Sequence, residues 1–137
     1  MTFRVENMSF KQGQEMTFTG KTKSGASNFT INIGHDSDNY ALHFNPRFNH
    51  GHIVCNSLSG GSWGDELKEG HFPFQDGEQF KVCVCARVRV CVCVCVLACV
   101  CNKVIITSLT FGHRSVWSHS LLTLTANIMC NSYRVHS

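Results

Sequence analysis

The first 81 residues are written in a period of two. Met16-Thr17-Phe18-Thr19-Gly20 alternates apolar and polar side chains and stops at a glycine. Phe29-Thr30-Ile31-Asn32-Ile33-Gly34 repeats the pattern, with Phe29, Ile31 and Ile33 on one face. Successive strand side chains point to opposite faces, so this alternation suits a half-buried strand and gives no stripe to a helix. Residues 41–48 (ALHFNPRF) and 53–57 (IVCNS) continue the series, and Gly60-Gly61-Ser62 turns into a strand running through Trp63 and Lys68. Turn signals separate the strands at Lys23-Ser24-Gly25, Asp36-Ser37-Asp38-Asn39 and Asp76-Gly77. Short strands at this spacing predict an all-β chain, a sandwich or a barrel. A length of 137 residues suits one such domain with a real core.

Charge and cysteine divide the chain at about Val82. The first 81 residues carry seven Lys or Arg and all nine acids; the last 56 carry five Lys or Arg and no acid. Those five cations are scattered, so the basic half forms no nucleic-acid or membrane patch. Cys55 is the only cysteine of the first part, and the other eight lie from Cys83 to Cys130. The opening MTFRVEN is short, polar and charged, which predicts no signal peptide, synthesis in a reducing compartment and thiols rather than a disulfide framework. On that expectation the glycosylation patterns at Asn7-Met8-Ser9 and Asn28-Phe29-Thr30 stay unused. The apolar run at 90–101 is twelve residues long, too short to span a bilayer.

Residues 82–101 read VCVCARVRVCVCVCVLACVC. As a strand, this puts most cysteines on one face and most valines on the other. Cys-Val-Cys-Val is also what a repeating TG dinucleotide encodes, and Ala-Arg-Val-Arg-Val follows from the same repeat with a few T-to-C changes. Residues from about Val82 therefore read as translated intron or a mispredicted exon, beyond which Gly112 is the only glycine. Thiolates suit zinc or copper(I), but zinc sites pair cysteines two to four residues apart on distinct loops. No metal is expected. Cys55 is expected in the core.

The chemistry concentrates in His43-Phe44-Asn45-Pro46-Arg47-Phe48. On a strand, His43, Asn45 and Arg47 project together, while Leu42, Phe44 and Phe48 face the core. Imidazole, amide and guanidinium on one face can give and take hydrogen bonds with a sugar hydroxyl. Pro46 lacks a backbone donor and should bend or interrupt the ladder. Trp63 offers a flat platform for the C–H face of a sugar ring. Glu66 and Lys68, two apart, share a strand face, where the cation can hold the carboxylate. Asn56 completes the set from the strand between.

Four blocks carry a resemblance to the galectin family: His43 to Phe48, Ile53-Val54-Cys55-Asn56-Ser57, Trp63-Gly64-Asp65-Glu66-Leu67-Lys68, and Phe72-Pro73-Phe74. The resemblance covers residues 1 to about 82. It implies an antiparallel β-sandwich of the jelly-roll, legume-lectin-like kind, whose concave sheet binds lactose-type sugars without metal, cofactor or catalysis. It also implies roles. His43, Asn45 and Arg47 would hold the axial O4 of galactose, Trp63 would stack, Asn56 and Glu66 would take O6 and the next sugar's hydroxyl, and Lys68 would assist. The expected partners are β-galactoside glycans and glycoproteins, with a prototype homodimer and a location both cytoplasmic and extracellular. Lys68 departs from the family's usual arginine, which weakens the expected bridge to Glu66. The resemblance stops after Phe80-Lys81-Val82, so residues 83–137 are expected to leave the sandwich incomplete and to undercut the dimer.

Two other classes compete. A glycosidase needs two carboxylates flanking a bond, and odd offsets place Asp65 and Glu69 on the strand face opposite Glu66. There is also no G-x-S-x-G elbow. The other alternative is a truncated lectin variant that neither folds stably nor binds sugar, its valine-rich tail being prone to aggregate.

Overall fold

The computed structural model describes residues 3–8, 10–11, 13–85, 91–96, 100–102, 122–126 and 129–136. The elements are β1 (Phe3–Met8), β2 (Glu15–Lys21), β3 (Ile31–Asp36), β4 (Asn39–Arg47), β5 (His52–Ser59), β6 (Ser62–Trp63), β7 (Leu67–Glu69), β8 (Gln79–Cys85), β9 (Cys91–Val96), β10 (Val100–Asn102), β11 (Leu122–Ala126) and β12 (Met129–His136). They pair antiparallel in two sheets. One runs β1-β11-β3-β4-β5-β6, with β7 also on β5; the other runs β10-β9-β8-β2-β12.

The predicted β architecture is therefore present, and the strand signals in the first half mark β2 to β5 within two residues at each end. The strand expected through Trp63 and Lys68 is two strands, β6 and β7, because Gly64, Asp65 and Glu66 leave the ladder. Pro46 does not interrupt β4: Asn45 pairs with Val54 and Arg47 with His52 on either side of it. Its carbonyl accepts the Phe29 amide at 3.2 Å.

The expectation of a sandwich left incomplete after residue 82 is corrected. β9 continues the second sheet from β8, β12 pairs with β2, and β11 lies between β1 and β3. The physical reason is that alternation and β-branched residues suffice to form strands wherever open edges await them. Residues 82–85 already show this, with Val82 and Val84 fully buried on β8 and Cys83 and Cys85 on its other face. Gly112, His113 and His119 lie outside the described residues, as do Ser9 and the side chains of Asn7 and His136.

The core sits between the sheets. Leu42 and Phe44 from β4, Ile31 and Ile33 from β3, and Met16 and Phe18 from β2 are all fully buried, with Phe29, Phe74, Phe80 and Cys55 beside them. Phe29 stacks on Phe80 at 4.9 Å between ring centroids and meets Phe74 edge-on at 5.2 Å. Phe48 is only partly buried and packs against Phe72. Burial pushes the Cys55 thiol far above its ordinary range, which fits a core thiol.

The β3–β4 hairpin shifts register on both sides of Gly34. A side chain there would collide with the Asn39 carbonyl and stand 2.7 Å from Tyr40 Cα. Since the obstacle is backbone, Gly34→Ala should destabilise the domain by about 1–3 kcal/mol or more in a denaturant melt. An unchanged melting midpoint would show that the hairpin relaxes freely.

Candidate functional site

Strand pairing brings the polar residues into two rows on the face of β3–β5 away from the core. Asn32, His43 and Asn56 are opposite one another across β3, β4 and β5. Asn45, Val54 and Lys68 form the next row across β4, β5 and β7. Paired residues share a face, so Val54, which is buried but outside the core cluster, floors the site.

The rest of the site hangs on a turn. Leu58 pairs with Trp63 and Ser59 with Ser62, leaving Gly60 and Gly61 as a two-residue loop with φ of 55° and 80°. Two positive φ values suit the primed hairpin turns, which glycine enters at no steric cost. The Gly60 amide donates to Asn39 Oδ1 and the Gly61 amide to the Asp38 carbonyl, each at 3.0 Å. The β5–β6 turn is thus tied to the β3–β4 turn, and Trp63 is set over the sheet. Its indole stands 4.8 Å from the His43 ring, near edge-on, and 6.2 Å from Tyr40. Trp63 is nevertheless 52% exposed, the one large hydrophobic residue so open among those described.

The polar groups are bound to each other first. His43 Nδ1 meets Asn32 Oδ1. An amide oxygen only accepts, so Nδ1 carries the proton and Nε2 is left as an acceptor in the neutral ring. Asn45 Nδ2 donates to the Phe29 carbonyl at 2.7 Å, and its Oδ1 accepts from Arg47 Nε at 2.8 Å. Arg47 Nη2 donates to Glu66 Oε1 at 3.2 Å. Asn56 Nδ2 donates to the Gly64 carbonyl at 3.1 Å and its Oδ1 accepts from the Ser57 amide. Asn45 and Asn56 are almost wholly buried, so both act largely by fixing their neighbours. Arg47 and Glu66 keep unused donors and an unused carboxylate oxygen on the open side.

The structure thus gathers His43, Asn45, Arg47, Asn56, Trp63 and Glu66 on one face. Lys68 shares that face at the β7 edge, but the expected Lys68–Glu66 bridge is corrected. The cation on Glu66 is Arg47, because Glu66 lies in the connection ahead of β7 and not on it. The same displacement removes the strand-offset argument that set Asp65 and Glu69 on the other face. Asn28, whose Oδ1 accepts from Asn45 Nδ2 at 3.4 Å, escaped the sequence reading, as did Asn32 and the Gly64 carbonyl. Asn32 at least lies on a strand whose polar face was legible. His50 and His52 sit 5.4 Å apart, and the buried His52 Nε2 has no hydrogen-bond partner. Among the described residues no cluster of three His, Cys, Asp or Glu side chains is placed to hold a metal. The whole face can grip a ligand that has an apolar flat side and several hydroxyls beside it.

Burial of His43 lowers its pKa from the ordinary 6.5, the Arg47 charge lowers it further, and Glu66 opposes both. The ring should therefore be neutral at neutral pH. Arg47→Ala should shift its titration upward and Glu66→Gln downward, read from imidazole proton resonances; shifts of the opposite sign would break the assignment. A depressed folded-state value means that the unfolded chain takes up the proton first. Stability from His43 is thus intact above about 6.5 and falls as pH is lowered from there toward the folded-state value.

Residues 2–92 match the family model for galactoside-binding lectin. A β-galactoside-binding lectin of Electrophorus electricus is 49% identical over 81 residues, covering 56% of this chain and 63% of the relative. Human galectin-2 is 45% identical over 80 residues, 58% of this chain and 61% of the relative. The chain thus aligns with less than two thirds of these relatives' length. Solved structures align throughout. Toad ovary galectin in complex with thio-digalactose gives a TM-score of 0.78 at 28% identity, covering 98% of both chains. Chicken galectin 2 gives 0.77 at 30% identity over 98% of both. A homodimeric agglutinin from chicken liver, CG-16, gives 0.77 at 28% identity over 99% of this chain and all of its own.

Proposed function

The chain belongs to the galactoside-binding lectin family, and from that membership we propose that it binds β-galactosides of the lactose type without catalysis. The observation that carries this reading is the half-exposed Trp63 indole standing beside His43, with Arg47 and Glu66 already joined on the same face. The indole takes the C–H side of the galactose ring. His43 Nε2 accepts a hydroxyl proton and Arg47 donates to the same oxygen, which is what an axial hydroxyl can satisfy at once. Glu66, steadied by Arg47, accepts from the second sugar, with Lys68 at the rim. The toad galectin that aligns over nearly the whole chain was solved with thio-digalactose, which supports this ligand class.

The partners proposed are galactose-bearing glycans and glycoproteins, met both in the cytoplasm and outside the cell. A second copy of the chain is a further proposed partner. CG-16 is homodimeric, and among the described strands β1 and β12 each form an edge of a sheet, where another strand can add.

Retention of the full chain on immobilised lactose, with elution by lactose but not by sucrose, tests the reading. Arg47→Lys keeps the charge and loses the fork, and should abolish retention while the chain still melts cooperatively. Trp63→Ala should weaken lactose about tenfold, the effect of roughly 1.4 kcal/mol. A folded, unsubstituted chain that lactose does not elute would refute the proposal. Turnover of lactose that disappears in Glu66→Gln would replace it with an enzyme.

A further inference from the structure

We infer that Asn39 is a positioning residue for the sugar site, one that sets Trp63 from the neighbouring hairpin. It is not among the residues proposed above to meet the ligand. Two short loops meet tip to tip here. Ser37 and Asp38 join β3 to β4, and Gly60 and Gly61 join β5 to β6. The second loop has no side chains of its own, and both its glycines have positive φ. Its place is therefore set through its backbone amides. Both are engaged by the first loop: Gly60 N donates to Asn39 Oδ1 and Gly61 N to the Asp38 carbonyl, each at 3.0 Å. Trp63 follows on β6, directly after Ser62. Gly34 lets the hairpin bring Asn39 to this spot, since a side chain there would meet the Asn39 carbonyl.

A primary amide has a donor end and an acceptor end, and only one of its two orientations serves the Gly60 amide. Asp36 decides which. Asn39 Nδ2 donates to Asp36 Oδ1 at 2.9 Å, and the same oxygen accepts the Asp38 amide at 2.9 Å. These bonds, that of Asn39 first, hold the Asp36 carboxyl below its ordinary range, so at neutral pH it only accepts. The donor end of the Asn39 amide must face it, which leaves the oxygen for Gly60. On the other flank of Trp63, the Gly64 amide donates to the Ser57 carbonyl and the Gly64 carbonyl accepts from Asn56. The chain around Trp63 is thus pinned before the indole by Asn39 and after it by Asn56. Tyr40, next to Asn39, adds a ring contact at 6.2 Å. Without the Asn39 amide the glycine loop loses one of its two anchors. Trp63 then has to be ordered by the sugar itself, which costs affinity.

For its effect on sugar this depends on Trp63 being the galactose platform, so two readouts on the full chain keep the readings apart. The first is a double-mutant cycle on the lactose Kd. Asn39→Ala should weaken lactose about fivefold with Trp63 in place, and less than about twofold when Trp63→Ala is already present, because residues acting through one group are not additive. Equal losses in the two backgrounds, or none with Trp63 in place, would overturn the positioning role. The second readout needs no ligand. With Trp117→Phe, Trp63 is the only tryptophan left. Asn39→Ala should then speed the decay of its fluorescence anisotropy, even in a chain that fails to bind lactose; an unchanged decay overturns the role even in a chain that lactose elutes. Should the alanine variant not melt cooperatively, N39D takes its place. It keeps an oxygen for Gly60 but sets two carboxylates together, and should loosen Trp63. The exchange D36N/N39D restores a donor opposite an acceptor and should return the slow decay, whereas a decay as fast as that of N39D alone would overturn the assignment.

Discussion

The aromatic plate between the sheets sets everything on the open face. Phe29 stacks on Phe80, meets Phe74 edge-on and lies beside Phe44, so the two sheets are clamped through rings from both. Phe44 sits on β4 between His43 and Asn45. A slip of one residue on this strand would turn Phe44 outward and drive an imidazole, an amide and a guanidinium into an apolar core. The cost of that error is what holds His43, Asn45 and Arg47 on the ligand side. The core specifies the site because both are written on alternate positions of the same nine-residue strand.

The polar groups on that face are arranged before any ligand arrives. Asn32 fixes the tautomer of His43, Asn45 is held by the Phe29 carbonyl and in turn holds Arg47, and Arg47 holds Glu66. Each link restricts the rotamers of the next, so less side-chain freedom is lost on binding. The Arg47–Glu66 pair is half-exposed and adds little to stability by itself. Its value lies in orientation: it presents one set of donors and one of acceptors at a fixed spacing.

Much of this was legible in the sequence because it depends on period two. The triplet on β4, the buried Leu42 and Phe44 and the glycine turn before Trp63 all follow from alternation and turn chemistry. Where the chain leaves the ladder, that logic ends. Glu66 lies in a connection, so its partner could not be read from an offset, and Arg47 replaced Lys68. Asn28 and the Gly64 carbonyl act through loops, whose approach is set by packing and not by local pattern. The tail was misjudged for a different reason. Residues 83–137 departed from the resemblance, yet a strand needs only alternation and a free edge, and both were available.

The placement of β11 and β12 has a consequence for how the chain is made. Ile33 finds one of its two neighbours in Leu124, and Phe18 one of its two in Tyr133. These partners are synthesised well after β2 and β3. Until then β3 and β2 each carry an open edge, and the sheet beneath the ligand face is unfinished. Pairings so distant in sequence form slowly, and open edges in the meantime invite neighbouring chains. A nascent chain of this kind is therefore most dependent on chaperones during the interval between the completion of its binding residues and the arrival of the strands that support them.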